Sequence, residues 1–282
     1  MEGTFLQTEA MTGQEVKGRF ILETQSLTKR FGDLIAVNEF TISIEAGEIF
    51  GLVGPNGAGK TTVIKMLTTL LPPTEGTAAV GGYNIGHEAG EVRRVIGYVP
   101  QLLSADGGLT GYENLLIFSK LYDVPRKERD QRIREVLDFM GITDFSGKLV
   151  RTYSGGMIRR LEIAQAMLHR PKVLFLDEPT IGLDPVARKA VWEHVQQLRA
   201  DYGTTIFLTT HYMDEADQLC TRVAIMHLGK ITAVGSPSEL KASVGESATL
   251  DDAFAYYSGS EVDSAGGYRQ ASRVRRIVRR VG

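Results

Sequence analysis

The stretch Gly54-Pro55-Asn56-Gly57-Ala58-Gly59-Lys60-Thr61 constrains what this chain can fold into more than any other. A glycine, four residues and then Gly-Lys-Thr form a phosphate-binding pattern when they lie between a strand and a helix. Residues 48–53 before it are an apolar run that reads as a buried strand, and residues 62–67 after it read as the first turns of a helix. In that setting the loop N–H groups and the helix N-terminus converge on an anion. The glycines let the backbone curl and approach it without a Cβ in the way. Lys60 then reaches the β and γ phosphates, Thr61 offers its hydroxyl to Mg²⁺, and Thr62 adds a hydrogen bond to a phosphate oxygen. The plain alternative is a Gly-rich turn, which the strand and helix on either side argue against.

The rest of the chain supplies a scaffold for such a loop. Residues 1–19 are polar without a sustained period and read as a flexible extension. Segments 20–24 and 40–44 are β-rich, with Phe31 in the turn region between strands; 78–80 and 96–99 read as further strands. Thr110 and Glu113 form a capping box that opens a helix carrying Leu115, Phe118 and Tyr122 on one face. A second helix after Pro125 carries Ile133, Val136, Leu137 and Met140 at helical spacing, with Gly141 placed to end it. A third begins near Ser154 and carries Leu161, Ala164 and Leu168, so a helical insert spans about residues 102–168. Strand character returns at 173–176, apolar throughout as in a strand buried on both faces. A helix after Pro185, a strand at 205–210 and a hairpin around Leu228-Gly229 complete a domain over 20–244. Strands alternating with helices predict an α/β core. The segment 245–282 holds a short helix at 253–257, a Ser/Gly-rich linker and an Arg-rich tail with Val274, Ile277, Val278 and Val281 at helical spacing. That tail reads as solvated chain or as a contact for anionic lipid or a partner.

A formal net charge of −2 gives no basic field for nucleic acid, and one cysteine, Cys220, allows neither an intrachain disulfide nor a cysteine metal cluster. No apolar run approaches the ~18 residues of a membrane span, and the N-terminus lacks a signal-peptide pattern. The expectation is a soluble, cytoplasmic chain whose membrane role, if any, comes through a partner.

Residues at strand ends of an open parallel sheet face the ligand held by the first loop. Asp177 ends its strand and suits Mg²⁺ held through water. Glu178 follows it as the candidate to orient and deprotonate an attacking water, and His211 ends the next strand, placed to bond the γ-phosphate.

With Gln101, Tyr153-Ser154-Gly155-Gly156-Met157, residues 174–180, Gly182-Leu183-Asp184-Pro185 and His211 following the loop in that order, the chain resembles the ATP-binding cassette (ABC) ATPases over about residues 20–240. The resemblance implies a P-loop NTPase (RecA-like) core, an N-terminal antiparallel β subdomain and an inserted α-helical subdomain. It implies ATP and Mg²⁺ as ligands, with Phe31 stacking on adenine and Gln101 sensing Mg²⁺ and the γ-phosphate. Ser154, Gly155 and Gly156 would face the γ-phosphate of ATP bound to a second subunit, across an interface that includes Asp184. Two cassettes, most simply a homodimer, would close head-to-tail on two ATP molecules, and hydrolysis would reopen them.

Tyr153 and Met157 in the signature, with residues 109–115, resemble type-two ABC exporters of the bacterial drug-resistance group, although Ile158 replaces an arginine often seen there. The leading expectation is therefore an ATPase subunit on the cytoplasmic face of the membrane, powering a separate integral-membrane permease. A drug, a lipid or a lipid-linked glycan all remain open as cargo. A soluble cassette acting on ribosomes or DNA would bring a second cassette or long insertions, and a non-hydrolysing regulator would not need Glu178 and His211.

Overall fold

A computed structural model describes residues 20–259 and two short backbone pieces, Glu261–Val262 and Tyr268–Arg269, which pair antiparallel. The expected extension at 1–19 and the Arg-rich tail lie outside the described residues.

Two sheets organise the chain. The first is antiparallel, in the order β2 (Leu34–Phe40), β1 (Phe20–Phe31), β5 (Glu75–Val80), β6 (Tyr83–Asn84), with β3 (Ser43–Glu45) also on β1. The second runs β11 (Lys230–Gly235), β10 (Arg222–His227), β4 (Ile49–Val53), β9 (Thr205–Thr210), β8 (Val173–Asp177), β7 (Ile96–Val99). Its strands are parallel from β10 to β7, and β11 is the antiparallel edge.

Every residue of β4, β8 and β9 is buried, because both faces of this sheet are covered. The period-two pleat sends alternate side chains to two different cores. Phe50, Leu52, Val173, Phe175 and Phe207 pack towards α1 (Lys60–Leu67) and the antiparallel sheet. Ile49, Val53, Leu174, Leu176, Ile206 and Leu208 face α5 (Gly155–Met167), α6 (Pro185–Tyr202), α7 (Met213–Leu219) and α9 (Leu250–Ser258). Leu250, Ala253 and Phe254 of α9 are buried in that second core, so the short helix expected around 253–257 is longer and is packed.

Between β7 and β8 lie α3 (Gly111–Leu121), α4 (Arg126–Phe139) and α5. The Thr110–Glu113 capping box is formed as expected, and Ile133, Leu137 and Met140 are buried on the inner face of α4 and its end. Gly141 takes φ +61° after that helix.

Two local expectations are corrected, and three short helices are added. Residues 40–44 are not one strand: Thr24 Oγ1 donates to the Phe40 carbonyl and accepts from the Ile42 N–H, which splits the run between β2 and β3. Phe31 ends β1 opposite Leu34 rather than lying in the turn, which is Gly32-Asp33 alone. The short helices α2 (Ala89–Val95), α7 and α8 (Pro237–Ala242) went unrecognised, since six or seven residues carry too little helical period.

Candidate active site

The loop 54–59 joins β4 to α1 and is wedged against its neighbours. Gly59 has φ +108°, and a Cβ there would lie 2.4 Å from the Ala36 carbonyl oxygen of β2. The Gly229 N–H, in the β10–β11 turn, donates to the Ala58 carbonyl at 3.0 Å. No side chain caps α1, and its first turn holds no acidic residue. Its leading N–H groups and partial positive charge are therefore offered to an anion. Lys60 is buried, and its Nζ donates to the carbonyls of Gly54 (2.8 Å) and Pro55 (3.2 Å) while standing 3.2 Å from Glu178 Oε1.

Asp177 and Glu178 meet this loop from the end of β8. Asp177 Oδ1 accepts from Thr209 Oγ1 at 2.7 Å and from Thr61 Oγ1 at 3.2 Å. Burial pushes the Asp177 carboxyl above its ordinary range; the two threonine hydroxyls and Lys60 oppose that, while the Glu178 charge adds to it. A buried carboxylate beside a hydroxyl is a donor set that fits a hard divalent cation completing its shell with phosphate and water oxygens. Among the described residues no three His, Cys, Asp or Glu side chains gather as a metal cage.

Glu178 adopts φ +49°, a conformation that non-glycine residues rarely hold. It is fixed there by its own N–H, which donates to the Thr209 carbonyl (3.1 Å) and Thr209 Oγ1 (3.0 Å). Its Oε2 accepts from Gln101 Nε2 at 3.3 Å and lies 3.1 Å from His211 Nδ1. Three segments distant in sequence thus converge on one carboxylate beside the loop. Beside that carboxylate opens a cleft of about 290 Å³, lined by Ala36, the loop and the start of α1, Gln101 and Glu178.

The structure brings together Asn56, Gly57, Gly59, Lys60, Thr61, Thr62, Gln101, Asp177, Glu178 and His211. The other expected site residues do not line this cleft. Phe31 is 49% exposed on the same hairpin as Ala36, with the Lys29 ammonium 5.4 Å from its ring centroid. Ser154 caps α5, its Oγ accepting from the Met157 N–H, and Ser154 and Gly155 are exposed. Gly156 instead is buried, and a Cβ there would lie 2.7 Å from Ala187 Cβ of α6. Asp184 is exposed and caps α6 through the N–H groups of Val186 and Ala187.

Sequence reasoning missed Ala36, Thr209 and Glu215. Thr209 precedes Thr210 and His211 at a strand end, and that position was its one signal. Glu215 is fully buried in α7 and accepts from Thr180 Oγ1 (2.8 Å) and Trp192 Nε1 (2.9 Å), tying the segment after Glu178 to α6. Nothing in the pattern of residues 213–219 marks it.

A model of the ABC transporter family matches residues 37–181, a span that holds the loop, Gln101, Ser154, Asp177 and Glu178. The chain is 46% identical over 224 residues to the daunorubicin/doxorubicin resistance ATP-binding protein DrrA of Streptomyces peucetius, covering 79% of this chain and 68% of that protein. It is 40% identical over 225 residues to the linearmycin resistance ATP-binding protein LnrL of Bacillus subtilis (strain 168), covering 80% and 72%. A solved ATP-binding cassette, in a dimeric post-hydrolysis state bound to ADP and Pi, superposes with a TM-score of 0.69 at 25% identity, covering 76% of this chain and 98% of that one. The fold, the loop and the carboxylate cluster lead to the same place as these similarities: the chain belongs to the ABC transporter family and is an ATPase of that family.

Proposed function

We propose that this cleft binds Mg²⁺–ATP, hydrolyses it, and drives export through a separate integral-membrane permease. The convergence of Lys60, Gln101 and His211 on Glu178, beside the Thr61–Asp177 pair, carries the reading. The loop N–H groups and Lys60 hold the phosphates, and Phe31 offers a flat apolar face for adenine. Thr61, Asp177 through water, and Gln101 are the residues that would hold Mg²⁺, which would supply neutralisation of the charge that builds on the phosphate oxygens. Glu178 accepts a proton from the attacking water, and His211 steadies that carboxylate and the γ-phosphate.

A second copy of the chain completes the site. Ser154 and Gly155 stand exposed at the start of a 13-residue helix with no acidic first turn, which suits a phosphate presented from outside. Asp184 and Val186, the latter 80% exposed, stand at the solvent-facing start of α6 and suit the interface between copies. The dimeric state of the solved cassette supports the same arrangement.

Among the described residues no helix is long and apolar enough to cross a membrane, so the permease is a different chain in this reading. Leu102 and Leu103, exposed at 81% and 50% directly after Gln101, offer that partner an apolar contact beside the site. The place of action is then the cytoplasmic face of the membrane, with no role for nucleic acid. The resistance functions named for the two relatives favour a drug-like cargo, with a lipid or lipid-linked glycan as the other chemistries that fit an exporter.

Glu178→Gln tests the assignment. The variant should bind ATP as the parent does and hydrolyse it at least about 10²-fold more slowly. Near-normal turnover by Glu178→Gln would remove Glu178 from the chemistry.

A further inference from the structure

The segment 100–106, between β7 and α3, carries Gln101 but has no regular structure of its own. Its backbone is nevertheless gripped at five residues, on either side of the exposed Leu102 and Leu103. Arg159 Nη1 donates to the Pro100 carbonyl at 2.7 Å and Nη2 to the Gln101 carbonyl at 2.8 Å. Glu162 Oε1 accepts from the Ser104 N–H, from Ser104 Oγ at 3.2 Å and from the Ala105 N–H at 3.3 Å. Asn114 Oδ1 takes the Asp106 N–H at 2.9 Å. Arg159 and Glu162 sit one turn apart on α5, 3.0 Å from each other, and are 1% and 2% exposed. The next arginine, Arg160, turns instead to the Met140 carbonyl inside the helical insert. Only Arg159 of this pair of arginines crosses to the segment that bears Gln101.

An ion pair that merely filled the core would be a poor choice, since apolar side chains of the same volume hold a fold as well or better. This pair spends its donors and acceptors on a loop backbone, and two of the gripped carbonyls flank the Gln101 Cα. The guanidinium fork matters here, because one flat group reaches two successive carbonyls. Arg159 lies five residues beyond Ser154 on the same helix, or about 7.5 Å along its axis.

We propose that Arg159 and Glu162 are positioning residues for ATP hydrolysis: they fasten the Gln101 segment to α5, so that the helix capped by Ser154 and the glutamine that touches Glu178 move as one piece. The proposal rests on the reading of Gln101 as a site residue. A shift of Ser154 towards a phosphate on a second copy then sets the distance between Gln101 and Glu178 in its own site. The clamp carries information between the two ends of α5 without touching nucleotide.

Steady-state hydrolysis and ATP binding by the full chain, with Mg²⁺ and ATP, test it. Gln101→Ala and Glu162→Ala should each lower kcat about tenfold, and Glu162→Ala should leave the ATP affinity within about twofold, since Glu162 touches neither the loop nor Lys60. The double variant should be no slower than Gln101→Ala alone, whereas independent effects would multiply to about a hundredfold. Glu162→Gln keeps an oxygen for Ser104 and Ala105 and should recover most of the rate. Arg159→Lys keeps the charge but loses the fork, so it should behave like Glu162→Ala, and it carries the same test if Glu162→Ala does not fold. Multiplying losses in the double variant overturn the proposal, as does a Glu162→Ala enzyme with normal kcat beside an impaired Gln101→Ala. If Gln101→Ala itself turns over normally, the reading of Gln101 fails and the clamp fails with it.

Discussion

Glu215 shows how much a single buried side chain fixes around this site. Its Oε1 takes hydrogen bonds from Thr180 and Trp192 in the interior. Burial pushes its carboxyl above the ordinary range, with the hydroxyls of Thr210 and Thr180 and the Trp192 N–H opposing the shift. A folded-state pKa above the unfolded one means that the folded chain holds this proton more tightly. Its stabilising contribution is complete below the unfolded value of about 4.3 and is lost as pH rises through the folded value. Glu215→Gln keeps an acceptor oxygen and removes the titration. We therefore expect the variant to melt higher than the parent at pH 8, by about 2–4 °C for each kcal/mol recovered, with the gap closing towards pH 4. Thermal melts across that range measure it, and a gap that stays constant with pH would show that Glu215 does not titrate between the two states. Phe31 makes a second prediction at this scale. A stacking face without a polar group cannot read a base edge, so Phe31→Tyr and Phe31→Trp should keep ATP affinity, while Phe31→Ala should lose roughly 1–3 kcal/mol of it. Unchanged affinity in the alanine variant would leave Phe31 as an exposed end of β1.

Among the elements, the contact of α5 with α6 is set by what is absent from one position. Gly156 has no Cβ, and one placed there would lie 2.7 Å from the Ala187 methyl. Gly156→Ala should therefore push the two helices apart and destabilise the fold by about 1–3 kcal/mol, as overpacked sites do. Adding Ala187→Gly opens the room again, and recovery of the melting temperature in that double variant is the check. If no recovery follows, backbone conformation rather than crowding governs the position. The sequence made Gly156 legible as part of a phosphate-facing signature but not as a spacer between helices, because the pattern holds no record of Ala187 lying opposite. The same division runs through the whole molecule. The loop 54–61, the Thr110 cap and the apolar strand at 173–176 were readable because their signals are local: a spacing, a cap, an unbroken apolar run. Ala36, Thr209 and the Arg159–Glu162 clamp were not readable, because each acts through a contact that tertiary packing alone creates. The short helices α2, α7 and α8 escaped for a third reason: two turns carry too few residues to show a period.

At the scale of the whole molecule, Lys60 is buried in the cleft while Ser154 is exposed on the helical insert, and neither lines the other's surroundings. If each ATP is clasped by Lys60 of one copy and Ser154 of another, mutations of the two act on opposite halves of a site. A dimer with Lys60→Ala in one copy and Ser154→Arg in the other collects both defects in one site and leaves the second intact. Mixing the two inactive proteins should thus restore nucleotide trapping at one site per dimer, read with differently tagged copies. Mixed dimers that form and trap no more than either parent would show that the site is not shared between copies of this chain. The means of following such closure is already in the protein. Trp192 is the one tryptophan of the sequence, and its indole N–H rests on the Glu215 carboxylate that also holds Thr180, two residues past Glu178. A rearrangement that pulls Thr180 off Glu215 should change the polarity around that ring. The chain carries its own unlabelled fluorescent reporter, and the colour of its emission during turnover reads the surroundings of the carboxylate that ties Thr180 to α6.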